Sequence, residues 1–240
     1  MDITYAVNTF SGDRDYNEDF AKAKKTANGY CFIVADGLGG HGKGEVASKL
    51  VCDIATEFFE NADAEDIFGM FDVAQEKLLE KQKQEHAEDA MKTTMNVVTI
   101  AGNSIRWGHV GDTRTYYFKK KKIVSRTKDH SVPQMMVAMG EIKEKDIRHH
   151  PDRNRLLRVM GTEWNKPQYV IEETLKEEGR QAFLMCTDGF WEFIEDKDMV
   201  KCLKKAKDVQ AWLDAMTEIV KNNGQGKDMD NFTALAVWIG

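Results

Sequence analysis

The sequence predicts an α+β fold built as one domain, and three observations point to it. Short apolar runs rich in β-branched and aromatic residues recur at 30–35, 95–101, 181–186 and 234–239, the mark of buried strands. Between them, segments near 45–60, 64–86, 196–205 and 208–222 place apolar residues at helical spacing. Hydrophobic residues make up 42% of the 240, enough for a substantial core, and with only three prolines and no repeat there is no linker at which to divide the chain.

In chain order, Ile3, Tyr5 and Val7 alternate with polar neighbours and predict a half-buried first strand. A polar loop follows at 11–19, carrying Arg14, Glu18 and Asp19. The next strand, 30–35, is cut off by Asp36 and followed by a glycine-rich stretch containing His41. In the 45–60 helix, Val46, Leu50, Ile54 and Phe58 form one row and Ala47, Val51, Ala55 and Phe59 the next, a broad face suited to packing on a sheet. In the 64–86 helix Ile67, Phe71, Ala74 and Leu78 face inward, and the polar half at 80–85 is expected to project into solvent. Strands then dominate: 95–101, 105–110, 115–118 and 123–124, with Lys119 to Lys122 read as a solvated hairpin tip. Asp129-His130-Ser131 precedes a helical patch whose Met135, Met136 and Met139 suit a core or a mobile flap. The charged stretch 146–158 contains His149 and His150, whose spacing is wrong for two ligands on one helix face, so they read as surface residues. Strands at 169–174 and 181–186, two helices, a loop at 223–226 and a last strand at 234–239 complete the chain.

A net charge of −6 argues against binding nucleic acid by phosphate neutralisation. Cys31, Cys52, Cys186 and Cys202 are far apart with no C-x-x-C pair, which signals neither zinc nor a disulfide framework, and reads as reduced, buried thiols. No signal-peptide pattern and no membrane-length apolar run is found, so the expectation is a soluble, cytoplasmic protein.

The chemistry lies in the acids. Asp36 and Asp188 each end an apolar run and precede glycine, Asp230 precedes the last strand, Asp112 follows Gly111 in a turn, and Asp19 stands beside Glu18. Taken singly, each suits a cap, a turn or a solvated cluster. Acids that converge repel one another and raise their own pKa values, and hard divalent cations resolve that cost. With no Cys or His cluster competing, Mg²⁺ or Mn²⁺ is favoured over zinc. Two such ions about 4 Å apart would bridge a water and lower its pKa, giving a nucleophile for phosphate esters. Arg14 offers a guanidinium fork for phosphate oxygens, and His41 a group able to protonate the leaving oxygen.

Arg14/Asn17-Glu18-Asp19, Ala35-Asp36-Gly37-Leu38-Gly39-Gly40-His41 with Gly44-Glu45, Val110-Gly111-Asp112-Thr113-Arg114, Asp129-His130-Ser131, Cys186-Thr187-Asp188-Gly189 and Asp230-Asn231-Phe232-Thr233 together resemble the metal-dependent serine/threonine protein phosphatases of type 2C, the bacterial branch most closely. The motifs come in the family's order and span nearly the whole chain. The resemblance implies two antiparallel sheets packed as a sandwich with helices outside each, a single domain over 1–240, and a flap subdomain at about 132–161. It implies that Asp36 bridges two tightly bound ions with the Gly37 carbonyl on one, that Asp188 and Asp230 complete the other site, and that Asp112 with Asp188 holds a third, weaker ion. Glu18 and Asp19 would act through waters, and Arg14 would grip the substrate phosphate. Leu38 stands where many bacterial members carry methionine, and Thr113 and Thr187 where serine is usual. The acid histidine of eukaryotic relatives directly follows the Asp-Gly pair; here that place is Leu38, which leaves His41 with two readings, a general acid or a structural histidine. The implied partners are phosphorylated proteins and a cognate serine/threonine kinase in a signalling role, with the chain a monomer that binds neither nucleic acid nor membrane. The competing readings are a phosphatase of small phosphorylated molecules and a non-catalytic phosphoprotein-binding regulator.

Overall fold

The computed structural model describes residues 2–38, 42–61, 66–175 and 179–240. Two five-stranded antiparallel sheets dominate. In one, β1 (Ile3–Phe10), β12 (Phe232–Ile239), β11 (Gln181–Cys186), β8 (Arg114–Lys119) and β9 (Lys122–Arg126) lie in that spatial order. The other runs β10 (Val170–Leu175), β7 (Ser104–Val110), β6 (Met95–Ala101), β3 (Gly29–Ala35) and β2 (Phe20–Thr26). A short pair, β4 (Gly37–Leu38) and β5 (Lys92–Thr93), sits beside Asp36. Helices α1 (Gly44–Asn61) and α2 (Ile67–Glu85) cover the β3 sheet, and α4 (Asp188–Trp191), α5 (Asp196–Lys205) and α6 (Val209–Gly224) cover the β12 sheet. The expected α-β-β-α sandwich is what the chain forms.

Strict alternation along the strands builds three apolar layers. In β3, Phe32 and Val34 face the opposite sheet, while Cys31, Ile33 and Ala35 face α1 and α2. In β12, Leu235, Val237 and Ile239 face the sheet interface, while Ala234, Ala236 and Trp238 meet the outer helices. Central strands are thus buried on both faces, which is why they read as unbroken apolar runs. No helix among the described residues is long and apolar enough to cross a membrane. The four cysteines are free and buried.

Several expectations are corrected. Residues 20–26, to which the sequence pattern assigns no element, form a strand: three lysines mask it, and Lys22 and Lys24 pair with Asp53 and Glu60 of α1. In β1 it is Ala6 that is buried, while Tyr5 and Val7 are exposed, Tyr5 meeting Phe32 edge-on at the rim. The second half of α2 does not stand free in solvent. Gln82 is only 2% exposed, and its amide donates to the carbonyls of Met91 (2.6 Å) and Gly161 (2.8 Å). Helix α6 continues through Asn223 and Gly224, where a loop was expected, and Gly224 lies against Met229 so closely that a Cβ would collide with it.

Residues 132–161 carry α3 (Val132–Ala138), capped by Ser131, and a 3-10 turn at Glu144–His149. Met135 and Met139 are exposed. Arg148 and Arg153 tie this segment to the end of α4, Arg148 donating to the Trp191 carbonyl at 2.9 Å and Arg153 to Glu192 at 2.6 Å.

Candidate active site

Antiparallel pairing delivers the acids to one end of both sheets. Asp36 follows β3, Asp112 lies in the turn from β7 to β8, Asp188 opens α4 directly after β11, and Asp230 stands two residues before β12. Cys186 pairs with Arg114 and Ala234, so the starts of β8 and β12 flank the end of β11. Met95 pairs with Val110, and Val34 with Asn96, which brings the end of β7 near the end of β3. These ends floor a cleft of about 1150 Å³ lined by Arg14, Glu18, Asp36, Gly37, Asp112, Asp188 and Asp230. Asp19 lies beneath it, buried, with Oδ2 accepting from Thr187 Oγ1 at 2.9 Å. His41 lies outside the described residues.

Each segment is pinned by its own backbone bonds. The Asp36 N–H donates to Thr94 Oγ1 (2.9 Å), and its carbonyl accepts from Thr93 Oγ1 (2.7 Å) and the Thr94 N–H (2.8 Å). Gly37 donates to the Glu18 carbonyl at 3.1 Å, and a Cβ there would collide with the backbones of Gly44 and Glu18, so glycine lets three segments meet. Asp188 Oδ1 accepts from the Gly189 N–H (2.6 Å), and Asp230 Oδ1 from the Asn231 N–H (2.8 Å). The Asp112 carbonyl accepts from the Trp191 indole at 3.0 Å. Over Trp191, at 3.4 Å, lies the Arg114 guanidinium, which grips buried Asp129 at 2.9 and 2.6 Å. His130 is held neutral, its pKa pushed down to about 3 by burial and by His109, and its Nδ1 accepts from the Gly111 N–H at 3.2 Å.

The electrostatics are those of acids forced together. Burial, then Asp19, Asp188, Asp112 and Asp230, push the Asp36 carboxyl well above the usual carboxylate range. Burial, opposed by the Thr187 hydroxyl, raises Asp19 to about 8, and burial with Asp230 raises Asp188 to about 6. Asp112 rises through burial and Asp188, and Glu18 through burial and Glu45. Asp188 is in turn one of the charges that raise Asp36, so the two carboxyls face the same cleft. Arg14 donates through Nε and Nη2 to Asp230 at 3.2 and 3.3 Å, and through Nη1 to Asp228 at 3.2 Å.

Among the described residues no three His, Cys, Asp or Glu side chains already stand in metal-holding geometry. Asp19 accepts from Thr187 and Asp230 from Arg14. The donor set nevertheless fits a hard divalent cation. All its donors are oxygens, and Asp19 Oδ1 is buried with no hydrogen-bond partner. The cleft also takes in Tyr16, Lys43, Glu45, Asn154 and Leu156, which the sequence reading did not assign to the site. Nothing in the local sequence around Asn154 says that it reaches the acids.

Comparison with known proteins agrees with the geometry. The family profile described as Protein phosphatase 2C matches residues 12–234. The serine/threonine phosphatase stp of Listeria welshimeri is 29% identical over 241 residues, 93% of this chain and 90% of that protein. A crystal structure of a bacterial serine phosphatase superposes with TM-score 0.88 at 25% identity, covering 100% of this chain and 98% of that one. The catalytic domain of the serine/threonine protein phosphatase PstP, solved with two manganese ions, shares the fold at TM-score 0.82 and 23% identity, over 99% of both chains. With its motifs, sandwich and acid-floored cleft in agreement with the profile over nearly its full length, the chain belongs to the protein phosphatase 2C family.

Proposed function

We propose that the chain is a working, metal-dependent enzyme of its family that hydrolyses phosphoserine and phosphothreonine in proteins. The observation that carries this reading is the cleft floor, where Asp36, Asp112, Asp188 and Asp230 arrive from four separate strand ends and line one cleft. Asp36, with the Gly37 carbonyl, and Asp188 with Asp230 would hold two Mn²⁺ or Mg²⁺ ions, and Asp112 with Asp188 a third, weaker one. Glu18 and Asp19 would support them through water. When bound, the cations supply a water acidic enough to attack phosphorus and positive charge to offset the phosphoryl oxygens.

The chain's own residues do the rest. Arg14 reaches the cleft from an exposed loop, and its planar fork suits a phosphate as well as it suits Asp230. Binding of a cation at Asp230 would free that fork for substrate. His41 is the candidate acid for the leaving serine or threonine oxygen. Residues 132–161 act as the flap of a single catalytic domain, contributing Asn154 and Leu156 to the cleft wall. The substrates are phosphorylated proteins, in opposition to a cognate serine/threonine kinase, and the protein works as a cytoplasmic, monomeric signalling enzyme.

Turnover of a chromogenic phosphate ester and of a phosphothreonine peptide, each with Mn²⁺ and after exhaustive chelation, tests this. Turnover of both with Mn²⁺, and of neither after chelation, is expected. Full activity after chelation would remove the metal reading. Turnover of small phosphorylated metabolites in preference to the peptide would move the substrate class, and binding of the peptide without turnover would make the chain a sensor.

A further inference from the structure

The chain has a net charge of −6, yet one corner of it is strongly basic. Lys119 and Lys122 close the β8–β9 hairpin, and Lys120 and Lys121 form its two-residue tip. Both tip residues have left-handed φ, 49° and 58°. Such a turn is the natural place for Asn-Gly, because a residue with a longer side chain is strained there. The Lys121 ammonium reaches the Lys204 carbonyl in the last turn of α5 at 3.3 Å, so the tip and that helix end form one surface. Beside it a groove of about 560 Å³ separates α5 from α6, lined by apolar Cys202, Ala206, Ala215 and Ile219, by Lys201, Lys205 and Lys207, and by one carboxylate, Asp198.

What marks this corner is that lysines without a carboxylate partner are gathered in one place. Lys22, Lys24, Lys43, Lys49, Lys77 and Lys81 each hold a carboxylate. In the corner, Lys201 pairs with Asp198 at 2.8 Å, and Asp208 is occupied in capping α6 at the Ala211 N–H. Among the described residues Lys120, Lys121, Lys122, Lys204, Lys205 and Lys207 have no carboxylate in reach. Six like charges left uncompensated around an apolar groove call for an occupant that is acidic and carries an apolar side chain.

We propose that this corner docks an acidic segment of a protein substrate, with an apolar side chain in the α5–α6 groove and carboxylates on the tip and rim lysines. The word substrate rests on the phosphatase reading of the cleft. Strand β8 runs from the cleft to the tip, so at about 3.3 Å per residue the corner lies roughly 25 Å from Asp112. A substrate held there by one segment presents its phosphosite on a tether. That raises its local concentration at the cleft without altering the chemistry.

The test uses the full chain with Mn²⁺ and a fluorescein-labelled Glu-rich peptide carrying one leucine, read by anisotropy. A phosphothreonine peptide with and without that segment, joined by a flexible linker, and a chromogenic ester are assayed on the same preparation. Lys120→Asn combined with Lys121→Gly removes two charges and relieves the left-handed strain. It should weaken binding about fivefold while raising the melting temperature. Ala215→Glu, on the exposed face of α6, should abolish binding. Both variants should lose the KM advantage of the tethered substrate and keep wild-type constants on the chromogenic ester. Absence of salt-sensitive peptide binding by the wild type overturns the proposal, as does equal binding by both variants, or a corner that takes RNA or anionic vesicles and not the peptide. An inactive wild type on every ester would sink the phosphatase reading alone, because anisotropy decides docking independently.

Discussion

Arg14 belongs to two arrangements. Its ion pairs with Asp228 and Asp230 are exposed, and such pairs contribute about 0–1 kcal/mol. Arg14→Ala should therefore leave the melting temperature nearly unchanged yet raise KM for a phosphopeptide about tenfold or more, and Arg14→Lys should recover little because lysine lacks the planar fork. Unchanged KM in both variants would return Arg14 to a solvated loop residue. The buried acids make a second prediction. Asp19 and Asp188 are raised to about 8 and about 6 from an ordinary value of 3.8. Groups raised in this way stabilise the fold below their unfolded pKa, and that contribution is lost as pH rises through the folded values. The metal-free protein should thus melt at lower temperature at about pH 8 than at about pH 5, and Asp19→Asn should flatten the difference. A metal-free melt that rises over this range would refute the crowding of charge. At this scale the sequence was informative where an acid ends an apolar run. It misled at Gln82, expected in solvent, because a glutamine buried to satisfy two carbonyls reads the same as one in solvent.

Among the elements, α4 is the joint of the site. It carries Asp188, and its Trp191 holds the carbonyl of Asp112, so two acid-bearing segments are fixed to one turn of helix. Trp191→Phe keeps most of the ring and loses the indole N–H, leaving a buried carbonyl unpaired, and should cost about 1–3 kcal/mol. If Asp112 supports a third ion, the same variant should lower kcat at limiting Mn²⁺ and recover at high Mn²⁺; a kcat insensitive to Mn²⁺ would leave Trp191 a packing residue. Arg114→Met strands Asp129 with Arg126 as its remaining cation, and should destabilise by about 3–5 kcal/mol, read by denaturant unfolding. Long elements were legible because periodicity accumulates over several turns or pleats. Helix α4 was not, being a single turn whose existence depends on what surrounds it, and β2 was hidden by lysines that an edge strand tolerates when a helix supplies their carboxylates.

At the scale of the whole molecule, the two sheets hold a cluster of charge that repels itself, so cations that bind only the folded chain should stabilise it. At a concentration about 100 times Kd, each site adds roughly 2.7 kcal/mol. Mn²⁺ should therefore raise the melting temperature by several degrees, and Asp36→Asn should remove most of that rise while leaving the metal-free protein at least as stable as wild type. A variant that unfolds without metal would contradict this. The pairing of β12 has a further consequence, in time. This strand lies between β1 and β11, with Ile3 against Ile239, and it brings Asp230 to the cleft. It is made after the other eleven strands described, so β1 has no neighbour in its sheet until a segment more than two hundred residues downstream arrives. Closure over such a separation is entropically slow. The acid set of the cleft is complete only once that strand has inserted, because Asp230 stands two residues before it, so the site is assembled late in the folding of this domain.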